Sequence, residues 1–140
     1  MCLRFFITIF GCISLFASSG QYQFQGKHLI ASYSGCDIDA LSDVNTLRAK
    51  MMQAVQECGA TVLDSSYYIF EPDAITMVIL LSESHASIHT YPEHGTCFID
   101  LFTCGDKCSN EIFDQVLRAY LKPTNVDSKL LLRQETATDL

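Results

Sequence analysis

With 140 residues and 49% apolar composition, the chain is long enough to enclose one hydrophobic core and has the size of a single domain. Acidic residues outnumber basic ones by 16 to 9, the net charge is −7, and no Lys/Arg cluster interrupts the chain, which argues against a nucleic-acid partner. Seven cysteines, an odd set with no CxxC pair, argue against a closed disulfide framework and against a zinc ribbon.

Arg4 is followed by the apolar run Phe5 to Ala17 and by the small residues Ser18 and Ser19, the pattern of an export signal or a short membrane anchor. The run is shorter than the roughly 20 residues that a spanning helix needs. Residues 1–25 are therefore read as an N-terminal extension, 26–133 as the folded domain and 134–140 as a loose polar tail. Lys27 to Ser34 has strand character, broken by Gly35-Cys36-Asp37. Ser42 or Asp43 is placed to cap a helix whose apolar residues Val44, Leu47, Met51, Val55 and Cys58 recur at helical spacing until Gly59 ends it. Thr61 to Phe70 reads as a strand, and Pro72 marks the next turn. Ile75 to Ser82 is a continuous aliphatic run and is expected to be a central strand buried on both faces.

After a polar, His-rich segment over 84–95, expected to be a loop, Thr96 to Thr103 makes another strand. Asn110 is expected to cap a second amphipathic helix carrying Ile112, Phe113, Val116, Leu117 and Tyr120 on its apolar face, with Pro123 beyond its end. Val126 to Leu132 supplies a last edge strand. The order β-α-β-β-β-α-β predicts an α/β (α+β) two-layer sandwich, a mostly antiparallel sheet with two helices on one face.

Residues 82–95 read SESHASIHTYPEHG and hold three of the four histidines beside three serines and two carboxylates. Three readings are open on the residues alone. His85 and His89 could join Cys104 and Cys108 at a metal, although pairing four apart suits a helix and Pro92 disfavours one. A Ser–His hydrolase would need an orienting acid and usually a Gly-flanked nucleophile, and GxSxG is absent. The third is a polar hairpin loop whose histidines are simply hydrogen-bonded.

The run S-E-S-H-x-x-x-H-T-[aromatic]-P-E-x-G, then Asp100 and Phe102-Thr103-Cys104-Gly105-Asp106, resembles the signature of the bacterial and archaeal S-adenosylmethionine decarboxylases. The similarity extends to Gly26-Lys27-His28-Leu29, Gly35-Cys36-Asp37, Cys58-Gly59-Ala60-Thr61 and Phe70, and so covers roughly residues 26–133. It implies a proenzyme that cuts its own backbone between Glu83 and Ser84, leaving a β chain of residues 1–83 and an α chain headed by a pyruvoyl group made from Ser84. That covalent cofactor forms a Schiff base with the substrate amine and accepts electrons as carbon dioxide leaves; no metal is implied.

The resemblance further implies roles residue by residue. His89 matches the histidine that moves a proton during processing, a task suited to imidazole near neutral pH. Thr76 stands where the family usually has an assisting serine, with Ala74, Ile75 and Met77 departing from the usual G-V-S-G. Cys104 matches the proton donor in decarboxylation, and an unperturbed thiol is protonated at neutral pH, as a donor must be. Cys97 and Cys108 are read as structural. Phe70 matches the aromatic that stacks on adenine and Glu93 the carboxylate that binds the ribose hydroxyls. Tyr91 replaces the commoner Trp or Phe, and Ser32 a frequent Glu.

The implied substrate is S-adenosylmethionine, decarboxylated for spermidine synthesis, and the implied assembly is a homodimer of cleaved αβ protomers in the cytoplasm, both protomers contributing to each site. Membrane contact or export through residues 1–20 is the competing reading of the N-terminus. Two rival functions remain: a pyruvoyl-dependent decarboxylase of ornithine or arginine, and an uncleaved homologue acting as a binding or regulatory subunit.

Overall fold

The computed structural model describes residues 25–104 and 106–134. The signal-like run, the whole of the 134–140 tail beyond Gln134, and Gly105 lie outside the described residues. Six strands form one antiparallel sheet: β1 (Gln25–Ser34), β2 (Val62–Phe70), β3 (Ala74–Leu81), β4 (Ser84–Tyr91), β5 (Thr96–Cys104) and β6 (Asn125–Gln134). Their spatial order is β2-β3-β4-β5-β1-β6. One face carries the helices α1 (Ile38–Ser42), α2 (Val44–Glu57) and α3 (Asn110–Leu121), giving the expected two-layer α+β sandwich with one helix more than predicted. Among the described residues no helix is long and apolar enough to cross a membrane.

Period-two alternation sorts every central strand between the two faces. Leu29, Ala31 and Tyr33 of β1, Ile75, Met77, Ile79 and Leu81 of β3, Ala86 and Ile88 of β4, and Ile99 and Leu101 of β5 point to the helices. They meet Leu47, Met51 and Val55 of α2 and Phe113, Leu117 and Leu121 of α3. Each such fully buried large side chain contributes about 1.5–3 kcal/mol through removal from water. Asp43 caps α2 by accepting from Thr46 N–H at 3.1 Å. Gly59 follows the helix at φ +92°, a conformation in which an added Cβ would also stand 2.8 Å from the Lys107 carbonyl.

Four expectations are corrected. The segment over 84–95 is not a loop: Ser84–Tyr91 is a fully paired strand, followed by a 3₁₀ turn over Pro92–His94. Ala86, Ile88 and Thr90 are the buried half of its alternation, and the histidines are the other half. The run over β3 is buried on one face only; Val78 and Leu80 are 44% and 52% exposed, because the helices form a single layer. Helix α3 is capped by Ser109, whose hydroxyl accepts from Ile112 N–H, and Asn110 is its first residue. The short α1 was missed; Asp37 caps it, accepting from Ala40 N–H at 3.3 Å, and Tyr120 of α3 donates to the Ala40 carbonyl at 2.9 Å.

Candidate active site

The residues singled out by the sequence fall into two groups at opposite ends of β4. The first surrounds the Glu83–Ser84 bond at the β3–β4 hairpin. Leu81 pairs with Ser84, so Ser82 and Glu83 form a two-residue turn. Ser84 has φ 153°, a region that L-residues rarely occupy and that stores backbone strain. The Glu83 carbonyl accepts a hydrogen bond from Cys104 N–H at 3.0 Å. The Glu83 carboxylate accepts from Thr61 N–H at 2.9 Å. That bond, aided by the Lys107 charge, holds the carboxyl below the ordinary carboxylate range.

Cys104 ends β5 beside this turn. By alternation it shares the open sheet face with Phe98, Asp100 and Phe102, and its β1 neighbour is Gly26. A Cβ at Gly26 would stand 2.5 Å from the Phe102 ring, so glycine keeps that approach clear. Cys104 is half-buried, whereas Cys36, Cys58, Cys97 and Cys108 are buried, and all five are free thiols. Burial pushes the Cys58 thiol up and, with the charges of Cys58 and Glu83, takes the Cys108 thiol to about 11.

The second group lies five residues along β4. Thr76 of β3 is directly opposite His89 of β4, and the Thr76 hydroxyl is hydrogen-bonded to His89 Nδ1. The His89 ring stands between two aromatics, 4.6 Å from Tyr91 and 6.0 Å from Phe70, both edge-on. Phe70, His89, Tyr91 and Glu93 border a cleft of about 730 Å³ that also reaches Ile38 of α1 and Asp73 of the β2–β3 turn. That volume is within the usual range for a small-molecule site, and its aromatic wall with one carboxylate suits a planar, hydroxylated ligand. Thr90 stiffens the cleft floor, its hydroxyl accepting from Ile75 N–H at 2.9 Å.

Between the two groups runs a third, to which the sequence assigned no joint role. Ser87 donates to Asp100 at 3.1 Å, His28 Nε2 approaches the same carboxylate at 3.5 Å, and the rings of His28 and His85 meet edge-on with Phe102 tilted against both. The signal was available: these residues share the parity of the open face on β1, β4 and β5. Among the described residues no group of three or more His, Cys, Asp and Glu is placed to hold a metal ion, and His85 and His89 point from different positions of one extended strand.

These residues are carried on a six-stranded antiparallel sheet backed by one layer of helices, an α+β sandwich. The S-adenosylmethionine decarboxylase family description matches residues 27–134. A Brevibacillus brevis S-adenosylmethionine decarboxylase proenzyme is 40% identical over 113 residues, which cover 81% of this chain and 85% of the relative. An S-adenosylmethionine decarboxylase proenzyme 2 from Halalkalibacterium halodurans is 37% identical over 99 residues, 71% of this chain and 78% of that protein. The crystal structure of the adenosylmethionine decarboxylase from Aquifex aeolicus superposes with a TM-score of 0.76 at 33% identity, over 84% of this chain and 98% of that one. The chain belongs to the S-adenosylmethionine decarboxylase family.

Proposed function

We propose that this protein is a proenzyme that cuts itself before Ser84 and then removes the carboxylate of S-adenosylmethionine, yielding the decarboxylated aminopropyl donor of spermidine synthesis and carbon dioxide. The observation that carries the proposal is the Glu83–Ser84 bond itself: a strained serine following a carbonyl already polarised by Cys104 N–H. Ser84 Oγ attacks that carbonyl, and the charge develops on an oxygen that has its donor in place. Loss of the Ser84 α-hydrogen expels the Glu83 carboxylate from the ester so formed, and water hydrolyses the resulting dehydroalanine, releasing the Ser84 nitrogen as ammonia and leaving a keto cap on the new chain. The pyruvoyl group then supplies the electron sink for loss of carbon dioxide.

The remaining roles belong to side chains. Cys104 donates the proton that the α-carbon needs after decarboxylation. Phe70 stacks on the adenine and Glu93 accepts from the ribose hydroxyls, both at the edge of the 730 Å³ cleft. His89, oriented by Thr76, moves the proton during cleavage.

Distance supports a homodimer. Five residues of strand separate Ser84 from His89 by roughly 17 Å, far beyond proton-transfer reach. A two-fold-related copy laid antiparallel on the open sheet face brings the start of one β4 over the end of the other. That face is apolar, with Val78, Leu80, Phe98 and Leu131 each at least 44% exposed, as a surface awaiting a partner would be. The cytoplasm is the proposed compartment, since Cys104 has to remain a thiol.

Intact-mass measurement of purified protein tests the proposal, with Ser84→Ala as control. Two fragments divided before residue 84, and carbon dioxide released from S-adenosylmethionine in preference to ornithine or arginine, are expected. A single unbroken chain would identify an uncleaved homologue, and release from ornithine or arginine alone would move the substrate.

A further inference from the structure

Thr103 lies directly across from Ser84 in the β4–β5 ladder. The bond from Cys104 N–H to the Glu83 carbonyl flanks this pair on its outer side, which makes Ser84 and Thr103 a non-hydrogen-bonded pair. In such pairs the Cα atoms approach to about 4.5 Å and the side chains stand closer than elsewhere in an antiparallel sheet. By strand parity both residues belong to the helix side, where Leu81, the other neighbour of Ser84, and Leu101 are buried.

Thr103 is wholly buried, and among the described residues its hydroxyl has no hydrogen-bond partner. An unpaired buried hydroxyl loses its hydration with nothing in return, and valine would fill the same space without that penalty. An orphaned buried polar group of this kind calls for a reason. The side chain directly opposite is the hydroxyl on which self-cleavage depends.

We infer that Thr103 is a positioning residue for cleavage: when the Ser84 side chain rotates for attack, the vacant Thr103 Oγ1 accepts its hydroxyl hydrogen and holds Ser84 Oγ in line with the Glu83 carbonyl carbon. The inference rests on the self-processing reading above. In the step it serves, the bond between Ser84 Oγ and the Glu83 carbon forms, the bond from that carbon to the Ser84 nitrogen breaks, and the hydroxyl proton ends on the freed nitrogen. Nothing is oxidised and no co-reactant is consumed. Cys104 N–H carries the transient charge on the carbonyl oxygen, while Thr103 removes the rotational freedom that would otherwise keep Oγ off the line of attack.

The test follows cleavage of freshly synthesised full chain by intact mass over time, in wild type, Thr103→Val and Thr103→Ser. Thr103→Val keeps the shape and lacks the hydroxyl, and is expected to slow the appearance of the two fragments at least about tenfold. Thr103→Ser is expected to restore cleavage close to the wild-type rate. Wild-type speed in Thr103→Val, or equal slowing in Thr103→Ser, overturns the role of Thr103. A wild-type chain that never divides overturns the self-processing reading instead. A second measurement guards against a folding defect: in the Ser84→Ala chain Thr103 has lost its proposed partner, so adding Thr103→Val there leaves the melting temperature level or raises it. A clear fall would mean that the hydroxyl is bonded to something other than Ser84, and would also overturn the inference.

Discussion

Co-expression of Ser84→Ala and His89→Ala chains, each inert alone, is expected to restore cleavage in about half of the His89→Ala chains. The figure follows from geometry. Ser84 and His89 start and nearly finish the same strand, and five steps of extended backbone hold them roughly 17 Å apart, with odd spacing turning their side chains to opposite faces. A proton donor or base has to stand within about 3 Å of its target, or one water further. On the proposed roles, neither residue of one protomer serves the other in that protomer, and the proposed dimer supplies the histidine from a partner. With equal expression and random pairing, about half of the His89→Ala chains meet a Ser84→Ala partner, as an isologous dimer allows. In that mixed dimer one site joins an intact Ser84 to an intact His89, and the other joins two alanines. Different tags on the two chains let intact mass assign every fragment: about a quarter of all chains should be split, all of them His89→Ala. No cleavage in the mixture, or wild-type cleavage of His89→Ala alone, would refute the reasoning.

Two further outcomes are expected. Phe70→Ala should raise KM for S-adenosylmethionine roughly 10- to 100-fold through loss of base stacking, with self-cleavage retained, as read from steady-state carbon dioxide release and intact mass; an unchanged KM would remove Phe70 from the adenine site. Glu83, whose carboxyl is held low first by Thr61 N–H, has a folded pKa below its unfolded one of about 4.3, so its contribution to stability is complete above that value and is lost as pH falls through the depressed one. In the uncleavable Ser84→Ala chain, Glu83→Gln should therefore flatten the decline in melting temperature below about pH 4.3; parallel declines would contradict the assigned cause.

The candidate site residues come from one continuous run, SESHASIHTYPEHG with the FTCGD that follows, but their arrangement was not legible there. Histidines and serines at alternate positions look like a polar loop until Ala86, Ile88 and Thr90 are recognised as the buried half of a period-two pattern. Once 84–91 is a strand, the residues of one motif are spread along nearly its whole length. The β3 run misled in the opposite direction: eight consecutive hydrophobic or β-branched residues are the pattern of a strand covered on both sides, yet one layer of helices covers only one. The helices were easier. Asp43, Gly59 and the 3.6-residue stripe of α2 are local signals, whereas the five residues of α1 are too few for a stripe and depend on Asp37 and on a tertiary bond from Tyr120.

The exposed apolar face of β3 bears on the chemistry. An antiparallel sheet can leave one face to water when that face is polar. Here the open face carries Tyr68, Phe70, Val78, Leu80, Tyr91, Phe98 and Leu131, all more than a third exposed in the isolated protomer, around the half-buried His28, Asp100 and Ser87. Residues that look like core in the sequence and like surface in one protomer become core again if a second copy covers them. On the proposed assembly the same contact that hides this apolar surface carries His89 to the open-face side of the Ser84 backbone. Dimer stability and cleavage competence would then be one property, so that a chain gains its cofactor only after it has found its partner. On that assembly one strand serves both the covered sheet face and self-processing, which would account for a reactive motif written along β4 rather than gathered into a loop.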